Sequence, residues 1–201
     1  MQANQYGCGP TGTGQAGTVG EGKQAGGMLD RMIACTDVDY RPDGSARAAA
    51  LLVAGWADAQ PLGEWTRHVD RAEPYLPGQF FRRELPCLLA VLEQVQLVAG
   101  PLSAVVIDGY VTLDAAGTPG LGAHLYAALG EAVPVIGVAK TAFRGSPHAL
   151  AVCRGGSRSA LYVTAAGMEP GEAARAVQAM AGPHRLPALL KRVDQLCRQA
   201  V

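Results

Sequence analysis

The sequence predicts an α/β domain built on a mixed β-sheet with helices on its faces. Strands are expected at about residues 31–38, 46–56 and 64–72, and a Pro-Asp-Gly turn at 42–44 separates the first two. From about residue 83 onward, helix and strand patterns alternate. Strands joined by short turns predict an antiparallel meander, whereas strand–helix–strand alternation predicts parallel strands with right-handed crossovers.

The second half of the chain supplies the βαβ part of the fold. A helix at about 83–98 holds Pro86 in its first turn, where proline removes no helical hydrogen bond. The remaining elements, in chain order, are a strand at 103–108, a helix at 119–130, a strand at 133–138, strands near 149–153 and 160–164, and helices at 170–180 and 187–199. A meander followed by βαβ units is the element order of an RNase H-like sheet, and we expect that fold.

The composition divides the chain into a leader and one domain. Residues 1–27 contain nine glycines and almost no large apolar side chains, so this segment cannot offset the entropy of ordering. We therefore expect a disordered Gly-rich leader at 1–27 and a folded domain at 28–201. The leader lacks the charged start and apolar middle of a signal peptide. No apolar run approaches the ~18 residues that a membrane span needs, so no membrane partner is expected.

The cysteines indicate a reducing compartment. They are Cys8, Cys35, Cys87, Cys153 and Cys197, an odd number at wide spacing with no C-x-x-C pair. That pattern argues against both a disulfide framework and a zinc site. We expect reduced thiols and a cytoplasmic location.

The charge balance bears on nucleic-acid binding. The formal net charge is zero, which argues against tight non-specific binding because that usually needs a basic excess. Local basic patches matter more than the sum. Basic residues on segments near the site predicted below are Arg82, Arg83, Lys140, Arg144, Arg154 and Arg158.

Three carboxylates are candidates for a metal site. Asp37 and Asp108 each follow a short apolar run that reads as a buried strand, and Glu84 lies near the start of a predicted helix. Catalytic groups of open α/β sheets gather where strands end. Hard oxygen ligands suit Mg²⁺ or Mn²⁺, and such ions support phosphodiester cleavage. The sequence therefore predicts a three-carboxylate metal centre.

The segment 74–86 adds a nucleic-acid signature. It combines a rigid Pro-Tyr-Leu-Pro turn with two phenylalanines, two arginines and Glu84. Arginines grip phosphates, and a rigid aromatic can enter a base stack. This mixture indicates a site that holds a strand, separates bases and binds a metal.

At these positions the chain resembles the endonuclease V family, as a divergent member. The matching segments follow the family order: Asp37-Val38, Pro74–Gly78, Phe81–Pro86, Asp108-Gly109, Gly122–His124, Ile136–Lys140, Leu161–Val163 and Arg185–Pro187. The resemblance implies an RNase H-like, metal-dependent nuclease that acts near deoxyinosine, and in some members on inosine in RNA. It also implies a nick on the 3′ side of the altered base.

The resemblance implies a role for each matching residue. Asp37, Glu84 and Asp108 would hold Mg²⁺, with Mn²⁺ as a substitute, and Lys140 would contact phosphate as the fourth catalytic residue. The substrate-binding residues would be Pro74, Tyr75, Leu76 and Pro77 as a strand-separating wedge, and Leu85, Gly109 and His124 around the base.

Structural explanations stay open for several of these residues. Glu84 alone fits the helix dipole, and Asp108-Gly109 fits a strand-to-loop turn. Tyr75 fits a turn aromatic that covers the core edge, and His124 fits a packed histidine on an apolar helix face.

Two positions depart from the family pattern. Asp114 stands where a histidine is expected after Asp108-Gly109, and Met168 follows Gly167 where a second histidine is expected. If both residues face the metal centre, the site has lost imidazole donors and gained an anion, and we expect slower turnover with more need for Mn²⁺.

These observations favour a monomeric Mg²⁺-dependent endonuclease that nicks DNA near a deaminated base. Two alternatives remain at this point. One is a non-catalytic nucleic-acid-binding module, and the other is an RNase H-like nuclease with a different target, such as inosine-containing RNA.

Overall fold

The computed structural model describes residues 5–6, 32–143 and 146–199. Its strands are β1 (Gln5–Tyr6), β2 (Ile33–Tyr40), β3 (Ala46–Val53), β4 (Gly63–Val69), β5 (Ala104–Asp108), β6 (Val135–Ala139), β7 (Leu150–Val152) and β8 (Leu161–Ala166). Its helices are α1 (Phe81–Ala99), α2 (Leu121–Ala128), α3 (Pro170–Ala179) and α4 (Ala188–Arg198).

The strands form one mixed sheet. Within the described residues it has eight strands in the order β1-β7-β8-β6-β5-β2-β3-β4. β2, β3 and β4 pair as the expected antiparallel meander, and β5 pairs in parallel with both β2 and β6. β8 runs antiparallel to β6 and β7. The predicted fold class, an RNase H-like mixed sheet flanked by helices, is confirmed.

Helices cover both faces of the sheet. α1 and α2 pack on one face, where Leu88, Val91 and Leu125 join the buried cluster. α3 and α4 pack on the other, where Val177 and Val193 join a second cluster. Because both faces are buried, the central strands read as continuous apolar runs rather than as alternating patterns.

Two expectations from the sequence fall partly outside the described residues. The predicted leader at 1–27 is described only at Gln5–Tyr6, which pair in parallel with Ala151 and Val152 of β7. The leader and the domain boundary therefore stay predictions. Among the described helices, none is long and apolar enough to span a bilayer.

The interpretation of the cysteines is partly wrong. Cys35, Cys87 and Cys197 are buried free thiols, but Cys153 is disulfide-bonded. Spacing along the chain does not reveal which thiols meet in space, and only that geometry decides whether a bond forms. The cysteines thus give no support to a cytoplasmic location, which stays a prediction.

The loop after β5 is held against the sheet by a buried threonine. Val111 N–H donates to Thr164 Oγ1 at 2.8 Å, and the Val111 carbonyl accepts from Gly120 N–H at 2.8 Å, just before α2. Gly137 lies beneath this loop, where a Cβ would stand 2.6 Å from the Gly109 carbonyl oxygen. The loop that follows Asp108 is therefore fixed by close backbone approach and by one buried hydroxyl.

We expect Thr164→Val to lower the free energy of unfolding by about 1–3 kcal/mol, because the buried Val111 N–H loses its acceptor. Thr164→Ser keeps the hydroxyl and removes only a methyl group, so its loss is expected to be about 0.8 kcal/mol. Urea unfolding measures both values, and hydrogen exchange at the Val111 amide separates the causes. Exchange that is equally slow in the valine variant would contradict the assigned role.

Candidate functional site

A cleft opens where β2 and β5 separate. Parallel pairing of these strands ends at Cys35 and Val106, and Asp37 and Asp108 each lie two residues further along. Both aspartates line the cleft together with Lys140, which directly follows β6. The wall opposite the strands consists of Leu186, Leu190 and Val193. The structure therefore brings three of the four predicted catalytic residues to one place.

Asp37 is strongly perturbed in this cleft. Its pKa is raised to about 7, first by burial and then by the negative charge of Asp108. The Val38 N–H donates to Asp37 Oδ1 at 2.9 Å and opposes that rise. A carboxyl group with this pKa titrates near neutral pH, whereas a solvated aspartate in a turn titrates at about pH 4.

Lys140 neutralises the second aspartate. Its Nζ donates to Asp108 Oδ2 at 2.7 Å, with both side chains partly exposed. Burial alone would lower the pKa of Lys140, but the hydrogen bond to Asp108 and the charge of that carboxylate outweigh it and raise the pKa. The Lys140 carbonyl accepts a hydrogen bond from the Arg185 guanidinium, which fixes the backbone at the end of β6.

Glu84 approaches from the helix on the other face of the sheet. It lies in the first turn of α1 and is only 7% exposed. Its pKa is raised to about 8, chiefly by burial and further by the charges of Asp37 and Asp108. Tyr40 and Arg83 moderate the rise, although the buried Tyr40 hydroxyl has no well-aligned hydrogen-bond partner among the described residues, so its contribution is weak. A glutamate that served only the helix dipole would remain solvated.

The three carboxylates are coupled but do not form a closed ligand set. Within 32–143 and 146–199, no three His, Cys, Asp or Glu side chains stand close enough together to hold a metal ion. Asp37 and Asp108 line the cleft on the α4 side, whereas Glu84 belongs to α1 and acts on them through its charge. In this arrangement Asp37 and Asp108 lie together in the cleft, and Glu84 is coupled to them through its charge.

A fourth carboxylate was missed from the sequence. Asp194 lies on α4, which packs on β2, and its charge raises the pKa of both Asp37 and Lys140. It also forms an ion pair with Arg198 at 2.9 Å, one helical turn away. An aspartate one turn from an arginine on an amphipathic helix reads as a solvated surface pair. Only the packing of α4 against β2 reveals that Asp194 faces the site.

The Pro-Tyr-Leu-Pro segment projects from the molecule. Pro74, Tyr75, Leu76 and Pro77 are all exposed, with Tyr75 at 59% and Leu76 at 43%, between β4 and α1. Tyr75 packs against neither of the two buried clusters, so it does not cover the core edge. An exposed aromatic held between two prolines is available for stacking.

An apolar cavity adjoins the acidic cleft and shares Asp108 with it. Its volume is about 270 Å³, just below the range of about 300–1,000 Å³ that is typical of ligand sites, and it is partly open to solvent. Its lining comprises Gly78, Phe80, Phe81, Asp108, Gly109, Tyr110, Leu113, Pro119, Gly120, Leu121 and Phe143. The predicted Gly109 lies in this wall, at φ +132° and with open space where a Cβ would be.

Two residues predicted near the base lie behind the cavity. The His124 ring stacks on Phe81 with ring centroids 3.7 Å apart, so the histidine supports a wall residue. Leu85 packs against the core cluster beneath α1. Neither side chain lines the cavity itself.

The idea that Asp114 and Met168 flank the metal centre is wrong. Asp114 is half-buried and closes a turn, accepting from Thr118 N–H at 2.9 Å and from the Thr118 hydroxyl, and these bonds lower its pKa. Met168 packs on the core and lines a cleft with Ile33 and Trp56, at the opposite end of the sheet from Asp108. Neither residue lines the acidic cleft.

The comparisons with known proteins agree on one family. The sequence model of Endonuclease V matches residues 19–183. Endonuclease V of Nostoc punctiforme is 30% identical over 130 residues, which are 65% of this chain and 56% of that protein, so the match spans about half of the relative's length. The crystal structure of Endonuclease V from Streptomyces avermitilis superposes with a TM-score of 0.66 at 27% identity, covering 83% of this chain and 79% of that chain.

One further structure shares the fold. Endonuclease V (D234N) of Ciona intestinalis, in complex with a 23mer DNA containing an inosine followed by a ribo-adenosine, superposes with a TM-score of 0.70. Its identity is 15%, and each chain is covered to 84%. At that identity the likeness establishes the fold alone.

We expect Glu84→Gln and Asp37→Asn to stabilise the protein at alkaline pH when chelator removes divalent ions. Both groups have raised pKa values in the folded state, so folding is favoured below their unfolded values near 4 and loses free energy as pH rises through about 7 and 8. The neutral amides remove that loss, by an amount on the order of a few kcal/mol.

Urea unfolding at pH 5 and pH 9 measures this gain, which should be large at pH 9 and small at pH 5. Glu93→Gln, an exposed change on the same helix, is the matched control and should shift neither value. An amide variant that is no more stable than the natural protein at pH 9 would refute the assigned repulsion.

Proposed function

The chain belongs to the endonuclease V family, and on that premise we propose that it is a metal-dependent endonuclease. It nicks a nucleic-acid strand on the 3′ side of deoxyinosine or a related deaminated base. The observation that carries the proposal is the meeting of Asp37 and Asp108 where β2 and β5 part, with Lys140 paired to Asp108 in the same cleft. A non-catalytic binding module has no need for repelling carboxylates in a buried cleft.

The residues of the site fit a hard divalent cation. The donors are carboxylate oxygens, the class that Mg²⁺ and Mn²⁺ prefer. Burial first and the charges of the neighbouring carboxylates second raise the pKa values of Asp37 and Glu84, and a bound cation would offset both effects. Asp37, Glu84 and Asp108 would hold the ion, with Asp194 nearby on α4, and when bound it would supply water activation and charge neutralisation.

The ion pair of Lys140 with Asp108 places a positive charge in the cleft where a phosphodiester would bind. The Lys140 ammonium is the cation at the mouth of the cleft, 2.7 Å from Asp108 Oδ2. We assign it a contact to the scissile phosphate, whose negative charge would otherwise meet the aspartates directly. Arg185 holds the Lys140 backbone, so the ammonium does not have to be ordered from a flexible loop.

The apolar cavity is the proposed site of the altered base. Aromatic rings of Phe80, Phe81, Tyr110 and Phe143 line it, and Asp108 places it next to the cleft. Extruding a weakly paired base requires a few kcal/mol, and stacking on an aromatic such as Tyr75 returns roughly 1–3 kcal/mol per base. The Pro74–Pro77 segment would keep the duplex open while the base occupies the cavity.

The remaining alternative within the family is the nature of the strand. Inosine-containing RNA therefore stays a second candidate substrate beside deoxyinosine in DNA. The monomeric state and the cytoplasmic location also stay predictions.

We expect cleavage of a labelled deoxyinosine strand in Mg²⁺ or Mn²⁺ and none in chelator. Parallel strands that carry inosine in RNA, uracil or a mismatch separate the candidate targets. Asp37→Ala and Asp108→Ala should each reduce product to background, because each removes an oxygen ligand from the cleft. Asp114→Ala removes an aspartate that only closes a turn and should keep natural turnover.

Thermal unfolding confirms that each variant is folded before its activity is compared. If the folded Asp37 or Asp108 variant cleaves at the natural rate, that aspartate is not a metal ligand needed for cleavage. Binding without cleavage in every lane would instead favour the non-catalytic module.

A further inference from the structure

A second groove adjoins the acidic cleft. It lies along β7 and β8 and shares Lys140 with the acidic cleft, just as the apolar cavity shares Asp108. Its polar lining includes Lys140, Arg158, Ser159, Tyr162 and Arg185. We call it the basic groove. The acidic cleft therefore shares one residue with each of its two neighbours.

The basic groove concentrates positive charge on a chain whose net charge is zero. It holds two arginines and a lysine, and none of its described lining residues is acidic. Arg158 is exposed, and the part of the chain that the structure describes gives it no ion pair. Other arginines are engaged, for example Arg192 with Glu64 and Arg198 with Asp194. Arg158 is thus a surface cation whose charge remains available.

The floor of the basic groove is rigid. Arg185 donates to the Lys140 carbonyl and, at 2.9 Å, to the Ala160 carbonyl, so it ties the end of β6 to the start of β8. Arg154 lies buried beneath and donates to backbone carbonyls of the segment that leads to Arg185, including His184 at 3.1 Å. All of its described hydrogen bonds go to backbone carbonyls between Gln178 and Arg185, so Arg154 supports the groove from below. The groove is preorganised rather than formed on binding.

We propose that the basic groove binds backbone phosphates of the strand on the 3′ side of the scissile bond. This inference rests on the proposed function. With the altered base in the apolar cavity and the scissile phosphodiester in the acidic cleft, a nick 3′ of that base sends the rest of the strand past Lys140. Phosphates entering there meet Arg158 and the rigid Arg185 edge, which match their charge.

The test measures binding of single-stranded deoxyinosine oligonucleotides in the full-length protein with Ca²⁺ in place of Mg²⁺. Both oligonucleotides contain the deoxyinosine and the scissile bond. One is lengthened only on the 5′ side of this core, and the other only on its 3′ side. Arg158→Ala is compared with Arg175→Ala, an exposed arginine at the opposite end of the sheet. Arg158→Lys tests whether charge alone suffices.

For the 3′-extended strand we expect Arg158→Ala to reduce the slope of log affinity against log salt by about 0.7–0.9. The ratio of natural to variant affinity should then change about threefold between roughly 50 and 200 mM salt. Arg158→Lys should restore the slope, and Arg175→Ala should not alter it. The 5′-extended strand should show no difference between the natural protein and Arg158→Ala.

An unchanged slope for Arg158→Ala on the 3′-extended strand, while the natural protein still binds and nicks deoxyinosine, would overturn this inference alone. An equal change on both strands would overturn the assigned polarity. If the natural protein binds neither strand, the proposed function fails and takes this inference with it.

Discussion

The interaction on which the rest of the structure depends is the repulsion among Asp37, Glu84 and Asp108 where β2 and β5 separate. Burial removes the water that would screen these charges, and the pKa values of Asp37 and Glu84 rise to about 7 and about 8 as a result. Two aspartates on neighbouring strands do not come together by local sequence preference. The sheet order that places β2 beside β5 brings them together, and Glu84 acts on them through its charge from the helix on the other face of the sheet.

Much of the surrounding structure compensates for that repulsion or fixes its geometry. Lys140 supplies the nearest positive charge, and Arg185 holds the backbone from which it extends. Thr164 and Gly137 hold the loop after Asp108 against the sheet, so the same aspartate borders both the acidic cleft and the apolar cavity. The buried carboxylates lower the free energy of unfolding, and the two buried apolar clusters offset that loss. This division between a functional site and its scaffold is usual in proteins.

The fold was predictable because its elements carry local signals. Apolar strands and the turn at 42–44 led to the observed elements, with β2 continuing to Tyr40 beyond its expected end. The expected place of Pro86 in a first helical turn is wrong, because α1 begins at Phe81 and Pro86 lies inside the helix. Asp37, Asp108 and Lys140 were also predictable, since each lies at or near the end of a strand. Asp194 was not, because its local pattern is that of a helix surface and its role depends on how α4 packs. The surroundings of His124, Asp114 and Met168 could not be predicted either, because sequence order does not tell which face a loop or helix presents.

The central claim is that these buried carboxylates form a cation site, and proton release on metal binding tests it most directly. Near pH 7 the free protein holds protons on Asp37 and Glu84, and a divalent ion must displace them. Titration with Mg²⁺ in weakly buffered solution at pH 7 should release roughly one proton per site, and far less at about pH 10, where both groups are already ionised. Asp37→Asn should lower the release. Binding of Mg²⁺ with no release at pH 7, or with the same release in that variant, would contradict the account.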